Sequence, residues 1–148
     1  MRNPILCLAD QIAVHLSDKD VNDRVELLNS VRAVLHEVSP FKSEPVDFVK
    51  WVPNGNVKAN DYNPNSVAPP EMELLKTSIS ADGYTQPIVG NLEGEKFEVV
   101  DGFHRHRVGK EDLEIQSRVH GHLPVVQIRS EQVGIEDRMA STVRHNRA

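Results

Sequence analysis

The chain has one cysteine, Cys7, in 148 residues. No internal disulfide can form, and no multi-cysteine metal site exists. Aromatic residues make up 5% of the chain, so aliphatic side chains must fill most of any core. No apolar run approaches the roughly 20 residues of a membrane span. The short apolar run after Pro4 is broken by Asp10, which leaves no signal-peptide core. An excess of positive charge is also missing: the net charge is −5 and the pI is near 5.8. That argues against the whole chain as a nonspecific polyanion binder, though it leaves room for a local basic site. Internal repeats and low-complexity tracts are absent. A cytoplasmic location is the simplest reading of these absences.

What is present supports one modest core, with hydrophobic residues at 39%, in one domain with an appendage. The most informative stretch runs from Phe97 to Lys110. It begins as an apolar run fit for a buried strand, breaks at Asp101-Gly102, and restarts dense in His, Arg and Lys. A strand entering a glycine turn and then a helix gathers unpaired backbone N–H groups at one point. The helix dipole favours an anion there. Arg105, Arg107 and Lys110 add positive charge at helical spacing. The alternative is an ordinary strand–helix turn with a solvated charged face.

Residues 1–40 read as a helical extension. Leu6, Ala9, Ile12, Ala13 and Leu16 give a partial stripe over 5–16. Asp20 can cap a second helix, in which Val21, Val25, Leu28, Val31, Leu35 and Val38 recur at three- and four-residue spacing. The two form a helical hairpin that packs on the following domain or serves as an arm for dimerisation or partner docking. Residues 40–45 read as a linker. Val46 to Val52 is a strand candidate, and 53–66 a turn and irregular polar loop rich in Asn.

Pro69-Pro70-Glu71 opens a helix, with Met72, Leu75 and Ile79 on its buried side and Gly83 as a left-handed cap. Residues 85–89 form a strand and 91–96 a turn. Residues 97–100 form the strand that feeds Gly102, and a helix comes next over about 104–110. Residues 111–121 read as a polar connection and 123–128 as a strand containing Pro124. Ser130 caps a last helix carrying Val133, Ile135, Met139 and Val143. Short strands between helices predict an α+β or α/β fold with a small mixed sheet. The abrupt ending at Ala148 suggests that the natural chain continues.

Four features stand in a fixed order: Asn63-Pro64-Asn65; a helix ending in Asp82-Gly83; Gln86-Pro87-Ile88-Val89; and Asp101-Gly102-Phe103-His104-Arg105. This order resembles the ParB/sulfiredoxin-like superfamily over residues 46–148, and most of all its small ParB-like members of the immunoglobulin-binding regulator B type, described as transcriptional co-activators. The resemblance implies an α+β fold: a small mixed sheet with flanking helices, here preceded by the N-terminal hairpin.

The resemblance also implies a nucleotide site for a nucleoside di- or triphosphate (ATP, ADP or CTP), with Mg²⁺ as a companion ion. Gly102, Phe103, His104 and Arg105 would cradle phosphates. Arg107 would match the last arginine of the same box. Gln86 and Pro87 would line the nucleotide wall, with Asn63 in the Asn-Pro loop, and Asn146 would help hold metal-bound phosphate. Two departures stand out. Phe103 replaces the glutamate of the partition proteins' box, and His145 replaces the glutamate of their Glu-Asn pair. Histidine is a poor exchange where Mg²⁺ wants hard oxygen ligands, which puts CTP hydrolysis of that kind in doubt.

Sulfiredoxin chemistry needs a cysteine where Phe103 stands, and Cys7 lies far off in the chain, so that activity is excluded. Three functions remain to compare. The favoured one is a nucleotide-binding regulatory module acting with DNA or a transcription partner, with the hairpin a candidate homodimer contact. The second is a small-molecule phosphotransferase like the free-serine kinases, with Asp101 as base and His104 and Arg105 on the phosphate. An ordinary Asx turn is the alternative for Asp101. The third, a nuclease, wants clustered carboxylates, and none is visible. His106, His120 and His122 read as structural, since they lack a recognised metal spacing. The residues alone leave open whether the chain is an enzyme.

Overall fold

The computed structural model describes residues 1–59, 69–128 and 144. The chain divides into two units, Met1–Pro40 and Phe41–Ala148.

The first unit is a helical hairpin, α1 (Pro4–Ser17) and α2 (Val21–His36). Asn3 caps α1 by accepting from the Ile5 amide, with Pro4 in the first turn, where its missing N–H costs nothing. Asp20 caps α2 through the Asp23 amide at 2.8 Å. The loop is pinned by Arg24, whose guanidinium donates to the carbonyls of Leu16, Ser17 and Lys19. The expected stripes are only half realised. Val25, Leu28 and Val31 are half-buried, but no residue of α1 is buried and the one buried residue of α2 is Asn29.

The second unit is built on a five-stranded mixed sheet in the order β1-β5-β3-β4-β2. The strands are β1 (Lys50–Pro53), β2 (Val57–Lys58), β3 (Ile88–Glu93), β4 (Lys96–Asp101) and β5 (His122–Gln127). β1 pairs antiparallel with β5, and β3 antiparallel with β4. β3–β5 and β2–β4 are parallel. Among the described residues, the helices α3 (Pro69–Asp82), α4 (Phe103–Glu111) and α5 (Leu113–Arg118) accompany it.

Several expectations shift. The strand foreseen over 46–52 starts only at Lys50, because Pro45 opens a 3-10 turn over Pro45–Asp47. A two-residue strand, Val57–Lys58, occupies the start of the expected loop. The turn foreseen over 91–96 shrinks to Gly94-Glu95, with Gly94 at φ 63, so β3 runs to Glu93. The polar connection 111–121 contains α5, capped by Asp112 on the Ile115 amide. The helix foreseen after Ser130 lies outside the described residues.

One core cluster lines the sheet: Val52, Val57, Ile88, Phe97, Val99, Leu123 and Val125, with Tyr84 and Phe103 packed on it. A second joins Ile79 of α3, Val108 of α4 and Ile115 of α5, again with Tyr84 against it. Tyr84 thus ties the helices to the sheet. Gly90 in β3 lets Phe97 and Val125 close to 3.2 Å of where a Cβ would stand. β3 and β4 slip register there: Val89 faces Asp101 and Gly90 faces Val99. Val100 is the extra residue of a bulge, and it is buried beside buried Val99. A bulge bends its strand and re-aims the residues after it, in this case Asp101 and Gly102.

Candidate functional site

β4 delivers the chain to Gly102, which adopts φ 88, a left-handed conformation that L side chains rarely adopt. Gly102 is the N-cap of α4, and among the described residues no side chain caps the helix. Its carbonyl accepts the first helical bond, from the His106 amide at 2.8 Å. Among the described residues, the amides of Phe103, His104 and Arg105 therefore open the helix without a side-chain acceptor, at the positive end of its dipole.

Arg105 folds back over this turn. Its Nη2 donates to the Pro87 carbonyl at 3.2 Å and lies 3.8 Å from Asp101 Oδ2. A Cβ on Gly102 would stand 2.8 Å from that Nη2, so glycine is needed for the close approach as well as for the backbone angle. The Arg105 Nε is buried and has no hydrogen-bond partner among the described residues, and the same holds for both ring nitrogens of His104. Burial lowers the His104 pKa, and the charges of Arg107 and then Arg105 lower it further. The ring is thus biased to its neutral form, with one donor and one acceptor nitrogen. Two polar side chains with unspent capacity flank an uncapped helix start, and buried polar groups rarely stay unmatched.

The other expected residues separate. Pro87 is at the corner through its carbonyl, and Gln86 beside it is exposed. Phe103 turns its ring into the sheet core, 5.5 Å centroid to centroid from the His104 ring, so only its amide can serve the turn. Asp101 stays at the strand end in its ion pair with Arg105. Arg107 is not brought to Gly102. It stands farther along α4, where its Nε donates to both carboxylate oxygens of Glu111 at 3.3 and 3.2 Å. His106 is structural: buried, with Nε2 3.0 Å from the Val57 carbonyl, which also accepts from Lys110 Nζ at 3.4 Å. Burial pushes the His106 pKa down, against the pull of that hydrogen bond. Asn63 and Asn146 lie outside the described residues.

Sequence reasoning missed the supports. The Tyr84 hydroxyl donates to the Arg105 carbonyl at 3.0 Å, and burial raises its pKa to about 12. Arg118 donates to the carbonyls of Ile79 and Ser80 at 2.6 and 2.7 Å, closing the C-terminus of α3. A groove of about 410 Å³ runs between α3 and α4, lined by Pro69, Met72, Glu73, Lys76, Arg107, Val108, Glu111 and Asp112. No local motif marks these residues, because their meeting depends on how α3 lies against α4.

Among the described residues, no group of three or more His, Cys, Asp or Glu is able to hold a metal. Asp101, at the corner, faces Arg105.

The model of the ParB N-terminal domain matches residues 39–133, a span that includes this turn. The chain belongs to the ParB N-terminal domain family. Its relatives include the uncharacterized protein YbdM of Escherichia coli (strain K12), 45% identical over 142 residues, which make up 95% of this chain and 66% of YbdM. The chain thus spans just under two thirds of that relative. Among solved structures, the C-terminally truncated chromosome-partitioning protein ParB of Caulobacter crescentus, complexed with CTP-γ-S, superposes with a TM-score of 0.53 at 18% identity. The match covers 66% of this chain and 52% of that one, and it shows a common ParB-type fold. Among the described residues no helix is long and apolar enough to cross a membrane.

Proposed function

We propose that this ParB-like chain is a nucleotide-binding regulatory module whose Gly102–Arg105 corner holds the phosphates. The observation that carries this is the pairing, among the described residues, of an α4 N-terminus that no side chain caps with buried nitrogens on Arg105 and His104 that have no hydrogen-bond partner. Main-chain amides, a guanidinium and a neutral imidazole donor together fit a phosphate's oxygens. The family assignment and the CTP-γ-S complex of the Caulobacter protein support the same reading. Binding would pass to DNA or to a transcription partner, as expected of co-activator-type members.

The test is calorimetry with CTP, ATP and ADP, with and without Mg²⁺. Arg105→Ala is expected to abolish binding with the circular dichroism unchanged, and Arg107→Ala to weaken it far less. Unchanged affinity in Arg105→Ala sinks the site. DNA affinity, read by fluorescence anisotropy, is expected to be weak and to fall with salt. Tight, salt-insensitive binding would contradict a DNA contact of this kind.

The hairpin supports a second-copy contact. Ile5, Leu8 and Val14 of α1 are 72%, 58% and 69% exposed, and a helix this apolar wants cover. Sedimentation should give a dimer that Leu8→Glu dissociates. The phosphotransferase reading rests on Asp101 standing at the same corner. Phosphoserine formed from ATP or ADP and free serine, and lost in Asp101→Asn, would put that reading first.

A further inference from the structure

Asp101 ends β4 one residue before Gly102, and its carboxylate lies 3.8 Å from Arg105 Nη2. That is an ion pair, at a distance beyond a hydrogen bond. The same Nη2 donates to the Pro87 carbonyl at 3.2 Å. The pair is largely sheltered, with the Arg105 and Asp101 side chains 20% and 28% exposed. The guanidinium also lies against the start of α4. A Cβ on Gly102 would meet its Nη2, Cζ and Nε at 2.8, 3.2 and 3.2 Å. An anion at the α4 amides therefore meets Arg105, and with it the charge of Asp101. Groups on one guanidinium stand well inside the Debye length of about 10 Å, so salt does not hide them from each other.

The net charge of this corner is small. Among the described residues, Arg105 brings a positive charge and Asp101 opposes it. Arg107, farther along α4, is paired with Glu111. The His104 ring is biased to its neutral form, by burial and then by Arg107 and Arg105. What is left unopposed is the helix dipole, equivalent to roughly half a positive charge.

Such a corner suits a singly charged anion better than a doubly charged one. A second charge on the ligand still loses its water, and it doubles the repulsion from the carboxylate. Phosphates come in both kinds. A terminal phosphoryl group carries close to two negative charges above its second pKa of about 6. A bridging phosphate, ester or anhydride on both sides, carries a single charge.

We propose that Asp101 sets the charge preference of the phosphate corner: it disfavours a dianionic terminal phosphate and leaves the Gly102–Arg105 turn to a monoanionic bridging phosphate of a nucleotide. The proposal rests on the nucleotide reading given above and names which phosphate of that ligand the turn takes. Asp101 is then a specificity-determining residue that acts through charge. Repulsion is proportional to the charge of the ligand. Neutralising Asp101 helps a dianion more than a monoanion, and the fold-gain for the first is the square of that for the second. Loss of a hydrogen bond or of local shape would not follow this rule.

The experiment is a titration of the full chain at pH 8, followed through the NMR shifts of the Gly102, Phe103 and His104 amides. Methyl phosphate serves as the dianion and dimethyl phosphate as the monoanion. In the parent chain dimethyl phosphate is expected to bind at least as tightly as methyl phosphate. Asp101→Asn keeps the size and an acceptor oxygen. It should raise dimethyl phosphate affinity about threefold and methyl phosphate affinity about tenfold, with the circular dichroism unchanged. Tighter binding of methyl phosphate by the parent chain overturns the proposal without any variant. An equal gain for both probes in Asp101→Asn, no gain, or a loss also overturns it. ADP and the dinucleotide TpT separate the sources of a bridging phosphate. ADP is expected to bind tighter than dimethyl phosphate and TpT to match it, and the reverse order would overturn the nucleotide reading while the charge rule stood. If none of these probes shifts the amides, inorganic tripolyphosphate included, the phosphate corner itself is refuted and the role of Asp101 falls with it.

Discussion

The Tyr84 hydroxyl donates to the backbone carbonyl of Arg105 at 3.0 Å, across 21 residues of sequence. The same oxygen would stand 2.3 Å from a Cβ on Gly109. One side chain therefore fixes the first turn of α4 and needs a glycine in the second. The pose of Arg105 over Gly102 depends on this brace as much as on the helix that carries it.

Gly109→Ala should therefore destabilise the fold. The added methyl would meet both Tyr84 Oη and Leu123 Cδ2 at 2.3 Å, and overpacking of this sort costs about 1–3 kcal/mol. Tyr84→Phe should cost about 1 kcal/mol through the lost hydrogen bond. Urea unfolding monitored by circular dichroism measures both. The raised Tyr84 pKa, about 12, adds a pH signature. The fold favours the neutral phenol, so stability is full below the unfolded value near 10 and falls as pH rises towards 12. Tyr84→Phe should flatten that limb.

Gly102→Ala is expected to cost stability and binding together. A left-handed backbone costs about 1–2 kcal/mol for a residue with a Cβ. The methyl would also push Arg105 off the Pro87 carbonyl. The variant should stay folded by circular dichroism but lose nucleotide affinity as Arg105→Ala does. Wild-type affinity in a folded Gly102→Ala would show that the close approach is irrelevant.

Acid should weaken the fold before the carboxylates titrate. His106 and His104 both have lowered pKa values, each chiefly through burial. A depressed histidine contributes stability that is present above its unfolded pKa near 6.5 and lost as pH falls through the folded value. The urea midpoint should drop between pH 7 and pH 5. His106→Gln keeps a donor towards the Val57 carbonyl and should reduce the drop. A profile identical to the parent chain would remove His106 from the account.

Arg118→Ala should free the Ile79 and Ser80 carbonyls at the end of α3. A charged donor on two carbonyls at a helix C-terminus contributes about 1–3 kcal/mol. Arg118→Lys should recover part of it, since an ammonium keeps the charge but lacks the fork. Equal stability of Arg118→Ala and the parent chain in urea would refute the cap.

Much of this was legible in order along the chain. Helical periodicity and Asp20 marked α2, Pro69 and Gly83 bracketed α3, and the run into Asp101-Gly102 marked the strand, turn and helix. These signals are local: a cap, a proline, a left-handed glycine or an apolar run acts on its neighbours, whatever the fold. The ordered motifs likewise pointed to the ParB-type fold through resemblance. The errors were also physical. Val46–Val49 alternate like a strand, but Pro45 opens a 3-10 turn over Pro45–Asp47 and the strand starts only at Lys50. Leu113–Arg118 look polar because α5 buries only Ile115.

The sequence by itself determined that a basic helix would start at Gly102, since chain direction, glycine and charge spacing lie within a few residues. Only the tertiary structure decided which groups meet at that helix start. Arg105 turns inward because Pro87, just before β3, offers a carbonyl, whereas Arg107 turns towards Glu111, its i+4 neighbour. Two arginines two residues apart point to different sides of a helix, and which side meets a carbonyl is set by packing that no local pattern encodes.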